Sequence, residues 1–400
     1  MSKIQFTNRA GLKLTGNLEL PAGGSWRATA LFAHCFTCTR NIKAARNITR
    51  ALAEAGFAVL RFDFTGLGES DGDFSDTTFS SNLDDLEDAA GWLAGELAAP
   101  QLLIGHSLGG AAALAVAERL EDVRAVVALA APASADHVLK QFADDLDEIE
   151  TEGSAEVQLA GRPFRIRKDF VDDARSHSID ERLGKLRRAL LVLHSPVDRT
   201  IDIENAQKIF AAAKHPKSFV SLDDADHLLS NETDSRYAGS VIAAWAGKFL
   251  RFDQPEAVEN VVVAGRTADK FLCRVQTGAH TLLADEPSRH GGDDLGPDPY
   301  KYLAGALGTC TVMTLNMYAR HKNLPVERVS CEVSHDRVHA EDCVDCERRD
   351  GKVDQLSRVI TIEGDLDDEQ RRRMLEIADR CPVHRTLENE IKVRSSLKDA

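Results

Sequence analysis

The chain has 400 residues and a formal net charge of −15, from 49 basic and 64 acidic side chains. This length predicts two domains, since single domains usually hold about 100 to 200 residues. The acidity is spread over both halves, which excludes nucleic acid and an anionic membrane as expected partners. No apolar run has the length of a membrane span and the start lacks a secretory signal, so we expect a cytoplasmic protein. In that compartment the eight cysteines are expected to form no disulfide framework.

Apolar stretches of strand length alternate with helical patterns through the first 250 residues. Strands that are almost wholly apolar belong to parallel sheets covered by helices on both faces. We therefore predict an α/β fold. The predicted strands are 11–20, 28–34, 57–64, 101–106, 123–131, 188–194 and 218–222, and the predicted helices are 42–55, 83–97, 111–120, 203–213 and 237–250. The pattern stops between residues 131 and 185, where a hairpin-like segment at 161–167 indicates either a small lid or a solvated surface excursion.

A candidate nucleophile lies between a predicted strand and a predicted helix. The segment Gly105-His106-Ser107-Leu108-Gly109 matches Gly-x-Ser-x-Gly, and this context is typical of the sharp turn that lifts a serine hydroxyl clear of a sheet. The hydroxyl becomes nucleophilic when a base takes its proton and an acid orients that base. Asp198 and His227 each follow the end of a predicted strand. The chain order Ser107, Asp198, His227 therefore predicts a catalytic triad at one edge of the sheet.

Each member of this triad has an alternative. The motif around Ser107 could be an ordinary glycine-rich turn between a strand and a helix. Three aspartates close to the predicted base could replace Asp198 as the acid: Asp223, Asp224 and Asp226. Two other histidines are interpreted as structural: His194 and His215.

Acyl transfer also needs backbone donors for the oxyanion. We expect one from the N–H of Leu108, which follows the nucleophile, and one from the N–H of Phe36, in the loop after the strand 28–34. Cys35 and Cys38 bracket Phe36 as a Cys-x-x-Cys motif. That motif indicates either a redox or metal role or, as the preferred interpretation, small residues that line a tight loop.

On these residues, the segment 1–252 resembles the α/β-hydrolase family of serine hydrolases. The matching motifs are the segment around Ser107, the segment 61–70 (RFDFTGLGES), Ser195-Pro196-Val197-Asp198 and Asp226-His227. The resemblance implies a mostly parallel sheet with a lid insertion at about 133–185. It also implies hydrolysis of a small-molecule carboxylic ester or thioester, without a cofactor or metal. Cys35 departs from the glycine that many relatives carry after the histidine of the oxyanion loop.

The alternation of strands and helices ends at a polar segment that contains a proline, residues 251–257. We therefore place the domain boundary near residue 253, with a second domain at 253–400. Period-two alternation there predicts strands. The predicted strands are 258–263, 271–276, 281–284, 327–337 and 355–363, and the predicted helices are 300–322 and 367–380.

Two cysteines of the second domain are singled out by their positions. The helical period predicts an inward face on the first helix that carries Cys310, together with Leu303, Leu307, Met313, Thr314 and Met317. Cys381 directly precedes Pro382, and proline is common at the first position of a helix. Cys381 is therefore predicted to cap a helix, where a thiolate is favoured. The alternative is that both cysteines are small buried apolar residues.

Residues 258–394 resemble the OsmC/Ohr family (osmotically inducible protein C and organic hydroperoxide resistance protein). The matching segments are 305–311 (GALGTCT) and 378–384 (ADRCPVH). The resemblance implies an intertwined α+β homodimer with both cysteines at the interface. It implies that Cys310 attacks an organic hydroperoxide, that Cys381 then forms a disulfide with it, and that a dithiol reduces this disulfide.

The second domain departs from the peroxide-reducing relatives before the cysteine-bearing helix. The segment there is Asp298-Pro299-Tyr300-Lys301, without the family glutamate that holds an arginine against the thiolate. Arg266 and Arg289 are the candidates for that arginine. Three hypotheses follow: a serine hydrolase with an OsmC-like thiol domain, a peroxidase with an auxiliary hydrolase half, and an OsmC half that only dimerises or binds a ligand. The first is preferred.

A cluster of metal-ligand residue types remains. Cys331, His335, His339, Cys343 and Cys346 lie within sixteen residues. The pair Cys343 and Cys346 resembles half of a zinc site, but the spacing departs from common zinc modules. We therefore predict no metal and keep a structural metal as the alternative.

Overall fold

The computed structural model describes residues 2–159, 161–177, 179–250, 257–339 and 352–397. The chain divides into two compact units, Met1–Thr281 and Leu282–Ala400. The boundary predicted near residue 253 lies outside the described residues. Among the helices that the structure describes, none is long and apolar enough to span a bilayer.

The first unit alternates strands and helices as the apolar pattern predicts. Its strands are β1 (Ser2–Thr7), β2 (Lys13–Glu19), β3 (Ala28–Ala33), β4 (Phe57–Phe62), β5 (Leu102–His106), β6 (Ala125–Leu129), β7 (Ser154–Leu159), β8 (Arg162–Arg167), β9 (Ala189–His194), β10 (Lys217–Ser221), β11 (Val258–Gly265) and β12 (Cys273–Gly278). Its helices are α1 (Lys43–Glu54), α2 (Phe79–Glu96), α3 (Leu108–Val116), α4 (Leu146–Glu152), α5 (Lys168–Ser176), α6 (Ile179–Lys185), α7 (Ile203–Ala212) and α8 (Glu232–Ala246).

Eight of these strands form one sheet in the order β1-β2-β4-β3-β5-β6-β9-β10. The strands from β4 to β10 in this order pair in parallel, whereas β1 and β2 join the edge in antiparallel pairs. The predicted mostly parallel sheet is therefore confirmed. The sequence pattern missed β1, because an edge strand that is half exposed carries no long apolar run.

Helices cover both faces of this sheet, which explains why its inner strands are apolar on both sides. Leu31 and Leu103 pack on one face in an apolar cluster that includes α2 and α3. The next residues along the same strands, Phe32 and Ile104, pack on the other face with α1 and α8. Since side chains alternate along a strand, both clusters hold the same strands in place and present the carboxyl ends of these strands at one edge.

The insertion between β6 and β9 is a packed part of the first unit. Its antiparallel hairpin of β7 and β8 and the helices α4 and α5 bury Ile149, Val157, Ile166 and Phe170 in the larger apolar cluster. The lid interpretation of this segment fits that packing better than a solvated excursion does.

The remaining elements are β13 (His280–Ala284), α9 (Pro299–Lys322), β14 (Val326–His339), β15 (Lys352–Gly364), α10 (Asp368–Ala378) and α11 (Pro382–Glu388). The second unit contains an antiparallel hairpin of β14 and β15. A small core joins this hairpin to α9 and α10, through Leu315, Val329 and Met374. Asp298 caps α9 by accepting a hydrogen bond from the Lys301 N–H, so the helix begins where the sequence predicts.

The predicted inward face of α9 is wrong by about one residue. The buried positions are Leu307, Gly308, Thr311, Leu315 and Ala319, whereas Met313 and Met317 are 66% and 68% exposed. Cys310 is half-buried beside this inward face. The helix carries two apolar stripes, and its packing on the β14–β15 hairpin decides which of them is covered.

Candidate active site

Ser107 lies at the sharp turn between β5 and α3. Its backbone has φ 56° and ψ −125°, a left-handed conformation that a residue with a side chain adopts at a steric cost. The Ser107 N–H donates to the Leu129 carbonyl at 2.9 Å, which ties the turn to the neighbouring strand. The predicted turn of the Gly-x-Ser-x-Gly motif is therefore present, and it projects the serine hydroxyl from the carboxyl end of β5.

The glycines of the motif allow close packing of α3 against the sheet. A Cβ on Gly105 would lie 2.1 Å from the Gly109 carbonyl oxygen, and a Cβ on Gly109 would lie 2.4 Å from the His34 carbonyl oxygen. These obstacles are backbone atoms, which cannot move aside as a flexible side chain could. The motif therefore specifies this packing as well as the position of the nucleophile.

Replacing Gly109 with alanine is expected to destabilise the first unit by roughly 1–3 kcal/mol, because the new methyl group meets backbone on β3. A matched control is Gly91→Ala in α2, where a Cβ meets nothing within 4 Å. That change should stabilise the helix by about 0.5–1 kcal/mol. Urea unfolding monitored by circular dichroism measures both variants. Equal effects of the two substitutions would contradict this account.

His227 joins Ser107 to Asp198 through two hydrogen bonds. The Ser107 hydroxyl lies 3.0 Å from His227 Nε2, and His227 Nδ1 lies 2.8 Å from Asp198 Oδ2. An ionised carboxylate only accepts, so Nδ1 carries the proton and Nε2 is left to accept the serine proton. The structure thus brings together the three side chains that the sequence predicts as a triad, although their loops are separated by up to 120 residues.

Asp198 is held as a carboxylate by its surroundings. Burial opposes ionisation of this group, but the hydrogen bond from His227 and the N–H groups of Ile201 and Thr200 outweigh it, and the pKa of the carboxyl lies below its usual value. The two N–H groups reach Asp198 Oδ1 at 3.0 and 2.8 Å. Asp198 is therefore charged at neutral pH, as an acid that orients a histidine must be.

The alternative acids are placed differently. Asp226 Oδ1 accepts from the Ser230 N–H at 2.7 Å, which closes a turn of its own loop. Asp223 has a left-handed backbone, with φ 43°, and its side chain is exposed. Among the described residues, Asp198 is the carboxylate that contacts His227.

The two predicted oxyanion donors line one cavity. Leu108 is the first residue of α3, so its N–H has no acceptor within the helix. Phe36 lies on the loop after β3, and both residues border the same narrow cavity. The close approach of Gly109 to the His34 carbonyl explains why the loop and the helix start are neighbours.

One pair of cysteines is disulfide-bonded, although no disulfide framework is expected for the chain. Cys35 and Cys38 are disulfide-bonded, and the Cys38 N–H donates to the Cys35 carbonyl at 3.2 Å. The interpretation of these residues as merely small is therefore corrected, because four residues of one turn bring the two sulfurs together. This covalent link closes the turn that carries Phe36.

A buried ion pair that sequence reasoning missed anchors the far end of this loop. Arg40 pairs with Asp63, whose side chain is fully buried. Asp63 also accepts from the backbone N–H groups of Arg40 and Glu69, at 2.6 and 3.1 Å. Asp63 and Glu69 belong to the segment 61–70, and these contacts hold the loop that carries Phe36 and Arg40 against the end of β4.

Replacing Asp63 with asparagine is expected to destabilise the first unit by about 2–4 kcal/mol, because the buried Arg40 would lose its buried partner and keep only the half-exposed carboxylate of Glu69. The control is Asp84→Asn, which removes an exposed carboxylate 3.1 Å from Arg9 and should change the free energy of unfolding by less than about 1 kcal/mol. Urea titration gives both values. If Asp63→Asn were as stable as Asp84→Asn, the role assigned to the Arg40–Asp63 ion pair would be contradicted.

The cavity that Phe36 and Leu108 border is lined mostly by apolar and aromatic side chains. It is lined by His34, Cys35, Phe36, Phe64, Leu67, Phe74, Asn82, Leu108, Gly109 and Ala112. The insertion closes around it, since the ring of Phe36 lies 5.5 Å from Phe170 and that of Phe74 lies 5.0 Å from Phe164. Its volume is about 10 Å³, which is room for about one water molecule.

The second unit holds a separate cluster around Cys381. This residue is the N-cap of α11, and its sulfur accepts from the His384 N–H at 3.3 Å. Thr311 Oγ1 lies 3.8 Å from the sulfur and accepts from Arg358 at 2.9 Å. Arg358 also donates to His384 Nδ1 at 2.9 Å. Among the described residues, Arg358 is therefore the arginine that these contacts bring close to Cys381.

Neither of the two arginines proposed from the sequence has a described contact with a cysteine thiol. Arg266 pairs with Asp269 at 2.6 Å, and Arg289 lies in a single helical turn at Ser288–His290. Sequence reasoning missed Arg358 because it lies on a strand far from both cysteine motifs. The strand register, which places Arg358 opposite Val333, was the information needed to find it.

The histidine and cysteine cluster near residue 340 is described only in part. Cys343 and Cys346 lie outside the described residues. His335 Nε2 is 3.1 Å from Asp354 Oδ1, and its ring stacks on Tyr300 at 4.3 Å. Among the described residues, no group of three metal-ligand side chains comes together.

Two family models match the chain. Residues 23–265 match the model of the alpha/beta hydrolase family, and residues 291–396 match the model for OsmC-like protein. Among solved structures, the esterase domain of a Rhodothermus marinus protein is 44% identical with a TM-score of 0.51, covering 62% of this chain and 98% of that domain. Alpha/beta hydrolase domain-containing protein 10 from mouse has a TM-score of 0.52 at 22% identity, over 62% of this chain and 100% of the mouse chain, and shows the shared fold.

Among the curated relatives, two match about half of the chain each. The uncharacterized protein YfhR of Escherichia coli K12 is 25% identical over 231 residues, covering 56% of this chain and 72% of YfhR. The human mitochondrial palmitoyl-protein thioesterase ABHD10 is 28% identical over 215 residues, covering 47% of this chain and 60% of the human protein. The chain therefore belongs to the alpha/beta hydrolase family of enzymes, and it joins a domain of that family to an OsmC-like domain.

Proposed function

We propose that the hydrolase domain cleaves small carboxylic esters or thioesters with Ser107 as the nucleophile, His227 as the base and Asp198 as the acid that orients it. The observation that carries this proposal is the hydrogen-bonded series from the Ser107 hydroxyl through His227 to Asp198, at 3.0 and 2.8 Å. The esterase domain of the Rhodothermus marinus protein and the thioesterase ABHD10 support the same class of substrate.

The reaction follows from this geometry. His227 Nε2 takes the Ser107 proton as Oγ attacks the acyl carbonyl, and the oxyanion accepts hydrogen bonds from the N–H groups of Leu108 and Phe36. His227 then gives the proton to the leaving alcohol or thiol. In the second half, His227 deprotonates water, which attacks the acyl-enzyme and releases the acid. Asp198 stabilises the imidazolium in both steps.

The small aromatic cavity supports a short or flat acyl group. In this proposal the acyl group enters the cavity that Phe36 and Leu108 border, whose volume of about 10 Å³ leaves no space for a long chain unless the insertion moves. We therefore expect kcat/KM to fall from p-nitrophenyl acetate to butyrate and to octanoate.

The test combines this ester series with covalent labelling. A fluorophosphonate should add one mass label to the peptide that contains Ser107, and pre-treatment with the label should abolish hydrolysis of all three esters. Labelling at another serine would overturn the assignment of the nucleophile. A preference for octanoate would overturn the proposed acyl size while leaving the nucleophile intact.

A second candidate function, in the OsmC-like domain, is favoured by the environment of Cys381. The Cys381 sulfur accepts from the His384 N–H at 3.3 Å and lies 3.8 Å from Thr311 Oγ1, a residue on the same helix as Cys310 that accepts from Arg358. In this proposal the Cys310 thiolate attacks an organic hydroperoxide, an alcohol leaves and a sulfenic acid forms. Cys381 condenses with it, releasing water and forming a disulfide, which a dithiol reduces.

The exposed stripe of α9 supports a homodimer for this domain. Met313 and Met317 are more than half exposed, and a second copy of the chain would cover them beside Cys310. Stoichiometric cumene hydroperoxide should remove two free thiols from the wild type, counted after denaturation. The Cys310→Ser variant should lose none through this reaction. An unchanged thiol count in the wild type would favour the alternative that this domain only dimerises or binds a ligand.

A further inference from the structure

We propose that His106 and His194 are positioning residues that hold the loops of the base and the acid, an inference that rests on the proposed triad of Ser107, His227 and Asp198. The two histidines are the last residues of β5 and β9, at the carboxyl edge of the sheet. Both side chains are fully buried. Each contacts a backbone carbonyl on a loop that carries one member of the triad.

His106 holds the loop of the base. Its Nε2 lies 2.8 Å from the backbone carbonyl oxygen of His227, and a carbonyl only accepts, so Nε2 carries the proton and donates. The two imidazole rings lie 5.4 Å apart at an angle of 34°. His227 is therefore held at its backbone by His106 while its own ring nitrogens remain available to Ser107 and Asp198.

His194 holds the loop of the acid in the same manner. Its Nε2 donates to the Ile201 carbonyl oxygen at 2.8 Å, and the Ile201 N–H donates to Asp198 Oδ1 at 3.0 Å. One peptide segment thus links the buried histidine to the carboxylate. The same Nε2 lies 3.6 Å from Asp198 Oδ2, the oxygen that accepts from His227.

The protonation of both residues fits an orienting role. Burial lowers the pKa of His106 to about 3, and burial also lowers the pKa of His194. Both rings are therefore neutral where an esterase works, each with its proton on Nε2. Within the described residues, no protein group hydrogen-bonds to Nδ1 of either ring, so the contact through Nε2 is the polar contribution of each side chain.

The expected result of removing these contacts is a loss in kcat. A small displacement of a catalytic group can cost about 100-fold in rate, so His106→Leu and His194→Leu should each lower kcat by roughly 10- to 100-fold and change KM by less than about threefold. Leucine keeps the apolar bulk and removes the donor. Glutamine keeps an N–H donor near the position of Nε2, so His106→Gln and His194→Gln should recover most of kcat.

A double-substitution experiment separates positioning from general stability. The readout is the rate at which a fluorophosphonate labels Ser107. If His106 acts through His227, then His106→Leu slows labelling in the otherwise unchanged protein. In the His227→Ala background it has no further effect. An equal slowing in both backgrounds would overturn the proposal. The same design applies to His194 in the Asp198→Ala background.

The controls keep the outcomes distinct. Thermal unfolding of each variant identifies a loss of fold. Where a leucine variant does not fold, the glutamine variant is compared with an asparagine variant at the same position. Asparagine is too short to reach the carbonyl, so it serves as the variant without the contact. A glutamine variant no better than asparagine would overturn the proposal. Failure of the triad itself would appear as hydrolysis that survives in Ser107→Ala, which is independent of both histidines.

Discussion

Replacing Ser107 with alanine is expected to lower kcat/KM for p-nitrophenyl esters by roughly 10⁴- to 10⁶-fold, because His227 then has no hydroxyl to activate. The hydroxyl contributes little to the fold, since its polar contact is the one to His227 at 3.0 Å. The melting temperature should therefore stay within a few degrees of the wild-type value. Initial rates over a range of ester concentrations, with circular dichroism on the same samples, measure both quantities.

The control for this substitution is Ser230→Ala. Ser230 is an exposed serine on the loop of His227, and its N–H, which the substitution keeps, donates to Asp226. Its kcat/KM should stay within about threefold of wild type. Hydrolysis that persists in Ser107→Ala at more than a hundredth of the wild-type rate would show that another nucleophile is responsible.

Replacing Asp198 with asparagine is expected to lower kcat by about 10⁴-fold. The N–H groups of Thr200 and Ile201 hold the amide oxygen, so the amide NH2 faces His227 Nδ1, donates to it and favours the wrong tautomer. KM should change little, since Asp198 lies behind the imidazole ring. The variant also loses a carboxylate that accepts from the N–H groups of Thr200 and Ile201, so a moderate loss of stability should accompany the loss of activity. Steady-state kinetics and urea unfolding measure the two effects.

Asp226→Asn is the matched control, because Asp226 is the neighbouring aspartate that the sequence left as an alternative acid. Its carboxylate accepts from the Ser230 N–H at 2.7 Å, so its loss should change kcat by less than about fivefold. A larger loss in Asp226→Asn than in Asp198→Asn would reverse the assignment of the acid. Equal large losses would indicate that the Asp226 substitution had displaced the loop that carries His227.

The apolar pattern and the motif around Ser107 predicted most of the hydrolase fold. Unbroken apolar strands are a local property of the sequence, and they require a sheet with two covered faces. The glycines on both sides of Ser107 and the chain order of the triad are local as well. The sequence left the acid open among four aspartates on two loops. The direction of each side chain is decided by contacts such as the one between Asp198 and the Ile201 N–H.

In the second domain, the sequence predicted the elements but not the contacts between them. Its elements and the cap at Cys381 follow from alternation and from Pro382, which are local signals. The buried face of α9 does not, because the helix carries two apolar stripes and only the hairpin of β14 and β15 selects one. Arg358 likewise reaches Thr311 across 47 residues, which no spacing in the sequence indicates.

The sequence by itself therefore determined the order of strands and helices, the turn at Ser107 and the residue types of the triad, since these depend on periodicity and on neighbours along the chain. The tertiary structure decided which groups meet: Asp198 with His227, Arg40 with Asp63, Cys35 with Cys38, and His106 with the carbonyl of a residue 121 positions away. The physical reason is that hydrogen bonds and ion pairs act over about 3 Å. Only the folded sheet brings loops from distant parts of the chain within that distance.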